Sequence, residues 1–477
     1  MARRWSDRHA GLACPANQFG RCICGAACPD ASAHAKQRPD CREDKGARRR
    51  TSVASAGRRD PPNRPSRETP LEKFATENDA VAGQYEKWVY PFPIADLDAP
   101  EVRSKRDGGD FARNWHTFWP DRPPREDLDV LVAGCGSNAA ARYAFNHPKA
   151  RVTGVDLSSS SLAHEAYLKD KHHLRNLTLH QGRIEDVSSL GRDFHFIDVS
   201  GVLHHLPNPV AGLKALGGVL RPDGTIAVMV YGQYGRTGVY MLQNMFRLMG
   251  LGQSEQDVVT VKQTLASLPK RHVIHDYMSR APDLKYDAGL VDSFLHRQDR
   301  AYTVAQCLEF AAQAGMSFMH WWENILYYPE GQLNADHDLY KKLSAMPEES
   351  IWQFMELYNG TLGQHAFCVC HASRPEKSYK IDFSTDAFMD YVPVLRCAEV
   401  KPEKPVPEGC VVVRRQPRPA YTLNPATSAL FRRIDGERSI RECFAASGLE
   451  SKDAETICRA SFRYLWRLSY IFLRIPS

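Results

Sequence analysis

Several features are missing from this 477-residue chain, and each absence excludes something. There is no run of about 18 apolar residues, so no transmembrane helix is expected. The N-terminus has no apolar stretch of the kind that opens a secretory signal, which makes a soluble, cytoplasmic protein the expectation. Thirteen cysteines are present, but none has the pair spacing of a zinc site, and they read as reduced thiols rather than a disulfide framework. Even the closest group, Cys22-Ile23-Cys24 with Cys28, matches none of the usual zinc pairs, and no motif elsewhere calls for a metal. Methionine is absent between Met1 and Met229, which leaves open whether residues 1–70 are translated.

Positive charge is also missing where the net value of +6 suggests it. Residues 1–70 hold thirteen Arg and two Lys against seven acids, a net +8, so the remainder carries −2. The tail is rich in Arg, Pro, Ala and Ser with little apolar periodicity, and is expected to be a disordered basic segment. Its arginines are interleaved with acids and lack aromatic partners, which argues against nucleic-acid binding. The rest has ordinary globular composition, 43% hydrophobic and 25% charged with a mean hydropathy of −0.45.

The most informative stretch is Leu128-Asp129-Val130-Leu131-Val132-Ala133-Gly134-Cys135-Gly136, followed by helix-compatible residues from Ala139 to Phe145. It reads as a buried parallel strand, a tight glycine turn and a helix whose free N-terminal amides face a ligand. Strand-like segments recur at Arg151–Asp156, Asn176–His180, Phe194–Ser200 and Thr225–Tyr231, with helical segments between them. Ser158–Ser161 and Asn208 supply N-caps, and Arg221-Pro222-Asp223-Gly224 reads as a turn. Such alternation predicts a parallel sheet covered on both faces, with ligands at the carboxyl ends of its strands. Gly134, Gly136, Asp156, Glu185 and Ser200–Gly201 all fall at those ends. An acid in the place of Asp156 accepts hydrogen bonds from ribose hydroxyls. One at the end of the third strand, Glu185 or Asp186, can accept from an exocyclic amine. Taken alone, Gly134, Gly136 and Ala139 also satisfy the dinucleotide pattern of NAD(P) oxidoreductases.

The run Val199-Ser200-Gly201-Val202-Leu203-His204-His205-Leu206, then Leu220-Arg221-Pro222-Asp223-Gly224-Thr225, narrows the choice. It closely resembles class I S-adenosylmethionine-dependent methyltransferases, and the spacing across residues 127–231 fits them. The chain is similar to a bacterial branch that shares Gln84-Tyr85-Glu86-Lys87-Trp88-Val89-Tyr90-Pro91, Asp292-Ser293-Phe294-Leu295-His296 and Asp299-Arg300-Ala301-Tyr302-Thr303-Val304, so the likeness extends over about residues 72–373. The resemblance implies an α/β, Rossmann-like seven-stranded sheet and S-adenosyl-L-methionine as cofactor. It implies that Gly134, Cys135 and Gly136 approach the methionine and ribose part, that Asp156, with Leu157 beside it, holds the ribose diol, and that Ile184 and Glu185 meet the adenine. Ser200 and Gly201 would line the reacting methyl. Many relatives have Asp where Arg183 stands, which leaves the adenine contact divided between Glu185 and Asp186. His204 and His205 stand where a general base can stand, although as a shared motif they also read as structural. A non-catalytic cofactor- or peptide-binding scaffold is the alternative to an enzyme.

The acceptor is not readable and is expected to be a small molecule or a peptide or protein. Its binding site is expected in the insertion Gly232 to Arg300, since insertions at this face build substrate pockets. Tyr234, Arg236, Tyr240, His296, Asp299, Arg300 and Tyr302 are candidates, with Tyr85 and Tyr90 as an aromatic lid. Asp299 and Arg300 also read as an ion pair with each other, and Met241, Met245 and Met249 as a core stripe. Two further strands are expected at Phe318–Tyr328 and Ala366–Cys370, a linker over 374–409 and a small C-terminal domain over 410–477. In that domain three helical segments and flanking strands suggest a winged-helix-like α+β module. Its Leu423-Asn424-Pro425 and Ile434-Asp435-Gly436-Glu437-Arg438-Ser439-Ile440 runs weakly resemble PqqD-like modules. No basic base-reading face accompanies them.

Overall fold

The computed structural model describes residues 80–103, 110–416 and 418–476. The expected disordered tail 1–70 lies outside the described residues. The core is a seven-stranded sheet of β1 (Asp129–Ala133), β2 (Arg151–Asp156), β3 (Leu177–Gln181), β4 (Phe194–Ser200), β5 (Leu220–Tyr231), β6 (Met316–Trp321) and β7 (Gln364–His371), in the order β3-β2-β1-β4-β5-β7-β6. The first five strands are parallel, and β7 runs antiparallel to both β5 and β6.

The apolar runs become strands because both faces of the sheet are covered. In β1, Leu131 and Ala133 join an apolar layer with Ile197, Val228, Leu213, Leu216 and Phe310, whereas Val130 and Val132 join the opposite layer with Phe196, Leu162, Trp115 and Phe118. Each fully buried Val, Leu or Phe contributes about 1.5–3 kcal/mol. No helix among the described residues is long and apolar enough to cross a membrane.

The Arg221–Gly224 turn is instead absorbed into β5. Phe194 pairs with Leu220 and Phe196 with Thr225, so the extra residues bulge out of a continuing strand. The insertion after β5 is a small helical body with its own apolar core of Val239, Leu242, Phe246, Val258, Val261, Leu290 and Phe294. Its two ends are tied at one neck, where Tyr302 N donates to Tyr231 O at 2.8 Å and Gln233 N to Tyr302 O at 3.0 Å. The methionine stripe does not hold as a core face. Met241 and Met249 are about half exposed, because Val239, Leu242 and Phe246 take the inward positions of the helix Thr237–Leu248.

At the C-terminus, helices Pro425–Phe431, Ile440–Ala445 and Ala454–Arg467 pack with β8 (Val392–Leu395), β9 (Ala398–Glu399), β10 (Val411–Arg414), β11 (Tyr421–Leu423) and β12 (Ile471–Arg474). Asn424 caps the first helix, and Ser439 with Glu442 forms a capping box on the second. The stretch read as a linker contributes β8, which pairs with β12, and β9, which pairs with β10. Arg415 grips Glu323 with two bonds of 2.6 and 2.7 Å, which fastens this region to the segment after β6.

Candidate active site

The glycine loop is shaped by backbone needs that side chains cannot meet. Gly134 and Gly136 have φ of 71° and 54°. A Cβ on Gly134 would run into Val202, and one on Gly136 would lie 2.8 Å from Pro91 Cδ and 2.9 Å from Tyr90 O. The loop is pinned to β2 by Gly134 N and Cys135 N, which both donate to Val155 O. Cys135 is buried and its thiol is pushed well above its ordinary range by burial, which suits a packing role.

Asp156 ends β2 beside this loop. One oxygen accepts from Gly136 N at 2.7 Å and the other from Ser158 N at 2.9 Å. Burial lifts its pKa, and those two amides oppose the lift. The helix-start amides expected to face a ligand are taken. Ala140 N and Ala141 N of the helix Ala139–Asn146 donate to Glu165 at 2.9 and 2.8 Å. The sequence reading missed Glu165. The only trace it leaves is an acid inside the helix Ser159–Lys171, next to apolar positions.

Glu185 is half-buried, 3.9 Å from Arg183, and Asp186 is exposed. Ile184 is buried and opens the turn after β3. At the end of β4, Ser200 is exposed, with its hydroxyl donating to Asp198 at 2.6 Å. Asp198 also accepts from Tyr143 at 2.7 Å.

The segment 80–93 straps across these strand ends. Ser137 Oγ donates to Pro91 O at 2.7 Å, and Ser158 Oγ to Tyr85 O at 3.2 Å. Glu86 accepts from Ser160 N and Ser160 Oγ, holding the strap to the N-terminus of the next helix. The strap also grips the helical insertion. Tyr85 OH donates to Asp292 at 2.8 Å, Tyr90 OH to Asp283 at 3.1 Å, and Phe92 stacks on Tyr286 with centroids 4.0 Å apart. Burial and the neighbouring carboxylates push the Tyr85 and Tyr90 hydroxyls upward in pKa, so both stay neutral donors.

Several candidates meet beneath the strap. Asp292 bridges Tyr85 and Tyr231, and His296 Nε2 lies 3.3 Å from Tyr85 OH. Arg236 is buried, lies 3.6 Å over the Tyr231 ring, and bonds Tyr240, Tyr277 and Asp299. His204 packs between Tyr231 and His205, and His205 stacks on His296. Burial holds the His204 and His296 imidazoles well below their ordinary pKa. Asp299 pairs with Arg236 rather than with Arg300, which is exposed and donates to Pro207 O. Tyr302 turns away to pack on Phe310, and Tyr234 is half-buried in the short turn before the helix Thr237–Leu248. Asp283, Tyr231 and Tyr277 were missed, and Asp292 lay in the shared stretch 292–296 without a role assigned to it. The acid at Asp292, directly after the apolar run Ala288-Gly289-Leu290-Val291, was the available sign. A separate cleft of about 560 Å³ lies between β6 and the C-terminal region, lined among others by Phe318, Trp322, Arg396 and Phe472.

Sheet order, antiparallel seventh strand, glycine loop and strand-end carboxylate together define the class of the domain: the chain carries a class I S-adenosylmethionine-dependent methyltransferase domain. A family profile described as "Methyltransferase domain" matches residues 131–226. An uncharacterized Synechococcus protein is 24% identical over 317 residues, covering 62% of this chain and 72% of its own length. The trans-aconitate 2-methyltransferase of Deinococcus radiodurans is 32% identical over 120 residues, covering 25% and 43%. Among solved structures, PKMT2 from Rickettsia typhi in complex with AdoHcy shares the fold at a TM-score of 0.54 and 18% identity, covering 76% of this chain and 75% of its own.

S-adenosylmethionine is the methyl donor of this enzyme. The residues present suit that group. A loop with two positive-φ glycines adjoins a carboxylate at the end of β2, and a second carboxylate, Glu185, lies at the end of β3.

Proposed function

We propose that this methyltransferase acts on a small molecule or peptide admitted between the strap 80–93 and the helical insertion 232–300. The observation that carries this reading is the closure of those two elements on each other through Tyr85–Asp292, Tyr90–Asp283 and Phe92–Tyr286 at the carboxyl edge of the sheet. S-adenosylmethionine supplies an electrophilic methyl when bound. The protein's part is to align the acceptor's nucleophile and to exclude water.

In this reading Asp156 takes the ribose diol, with Gly134, Cys135, Gly136 and Leu157 along the donor. Ile184 and Glu185 meet the base, and Ser200 and Gly201 border the methyl. Tyr85 and Tyr90 close the pocket from the strap side, Tyr234 and Tyr240 form the acceptor side of the insertion, and His296, 2% exposed, positions Tyr85. His204 and His205 are fully or nearly fully buried, with 0% and 3% exposure, so they act by positioning the insertion rather than by touching the acceptor.

Incubation of the full chain with methyl-labelled S-adenosylmethionine and size-fractionated cell extract tests the reading. Label in a small-molecule or peptide fraction, lost in Ser200→Trp, supports it. Cofactor binding with no label transferred to any fraction favours a non-catalytic scaffold.

A further inference from the structure

Beneath the strap, three metal-ligand side chains converge, each with at least one buried polar atom that has no hydrogen-bond partner among the described residues. One ring nitrogen of His204, one of His205 and a carboxylate oxygen of Asp299 all lie within 4.8 Å of one another. His204 and His205 are buried, and the Asp299 side chain has no exposed surface. Neither nitrogen of His204, nor His205 Nε2, nor Asp299 Oδ1 has a hydrogen-bond partner among the described residues. Buried polar atoms are ordinarily satisfied, so four such atoms in one knot require a reason.

The surroundings hold these groups as a metal site would. His205 Nδ1 faces Gln298 O at 3.0 Å and so carries the ring proton, which leaves Nε2 as the lone-pair nitrogen. Metal-bound histidines regularly donate their second nitrogen to a backbone carbonyl. Asp299 Oδ2 is fixed by Gln243 Nε2 at 2.9 Å and Arg236 Nη2 at 3.4 Å, so the carboxylate is oriented while Oδ1, 4.0 Å from His205 Nδ1, accepts no hydrogen bond.

The neighbouring histidine is differently placed. His296 Nδ1 accepts from Gln298 N at 3.0 Å, so Nε2 carries the proton and points it at Tyr85. Both oxygens of Asp292 are already taken by Tyr85 and Tyr231. Charge balance agrees with a cation. The hydrogen-bonded knot formed by the insertion, strap and neck holds three carboxylates, Asp283, Asp292 and Asp299, against two guanidiniums, Arg236 and, through Gln243, Arg247.

We propose that His204, His205 and Asp299 bind one divalent transition-metal ion of the zinc or cobalt class, which locks the loop after β4 to the neck of the helical insertion. Two imidazoles and one carboxylate are a donor set for such ions rather than for calcium or magnesium. The site is closed to solvent, so the ion is structural. The assignment stands independently of the acceptor's identity.

The experiment uses the full chain. Metal content is measured by plasma mass spectrometry after purification, and chelator-treated protein is titrated with Zn²⁺ and Co²⁺ by calorimetry and, for Co²⁺, by visible absorption. The expected result is one equivalent per chain, with affinity reduced at least tenfold in Asp299→Asn and His205→Gln and unchanged in His172→Gln, which alters the partly exposed Asp96–Asp98–His172 group. If the variants fail to fold, the wild-type chain still decides. A stoichiometric Co²⁺ spectrum with a rise in Tm on metal addition supports the site. Absence of stoichiometric binding overturns it, as does binding that persists undiminished in Asp299→Asn or is lost in His172→Gln.

Discussion

Glu165 offers a test of how the glycine loop is held. Its carboxylate lies under the start of the helix Ala139–Asn146 and accepts from two backbone amides at 2.9 and 2.8 Å. Burial dominates and lifts its pKa from 4.5 to about 8. A carboxyl with a raised folded pKa stabilises most below its unfolded value, and that contribution falls as pH rises towards the folded value. The window is therefore pH 4.5 to about 8, and at about 1.4 kcal/mol per pKa unit the loss across it is on the order of 5 kcal/mol. Glu165→Gln keeps the shape but does not titrate. It also turns an amide N–H₂ against one of the two backbone donors, at a cost of about 1–3 kcal/mol. Wild type should therefore be the more stable at pH 5, and the difference should shrink steadily and vanish or reverse by pH 9. Urea unfolding of both proteins at pH 5, 7 and 9, followed by tryptophan fluorescence, measures that difference while cancelling other titrations. A difference that is flat with pH, or that grows towards pH 9, would refute the reasoning, because it would mean the helix amides keep Glu165 ionised.

Other perturbations separate the parts of the site. Gly134→Ala places a methyl against Val202 at a φ of 71°, and should lower stability by about 1–3 kcal/mol. A Tm within one degree of wild type would contradict the strained loop. Tyr85→Phe removes one of two hydroxyls from buried Asp292 and should cost about 1–3 kcal/mol locally. Amide hydrogen exchange should then accelerate at least tenfold in residues 80–91 with β1 unchanged, and equal protection in both proteins would show that the strap is not held by this bond.

The sheet was legible because buried parallel strands have to be apolar on both faces, so β1, β2 and β4 stand out as short runs ending in glycine or an acid. Ser158 and Asn208 were legible as caps for a similar local reason, since each bonds the amide three residues on. The contacts that escaped were long-range. Glu165 serves amides 24 and 25 residues earlier, and Asp292 meets Tyr85 from 207 residues away. Nothing in helical or strand periodicity encodes such a pairing. Asp299 shows the converse error. Its sequence neighbour Arg300 suggested a partner, but the helical fold of the insertion presents Arg236 instead. The Arg221–Gly224 segment failed for a third reason. Its turn chemistry is real locally, yet β4 on one side and β7 on the other hold β5 together as a strand with a bulge.

The central claim is that a donor of the S-adenosyl class binds at the carboxyl ends of β1 and β2, with Asp156 as its ribose contact. Calorimetric titration of the full chain with S-adenosylhomocysteine, beside Asp156→Ala, measures this directly. The expected result is one site per chain in the wild type and at least a hundredfold loss in the variant, since a bidentate charged contact of about 1.5–3 kcal/mol per bond disappears. No binding by the wild type, or equal binding by Asp156→Ala, would contradict it.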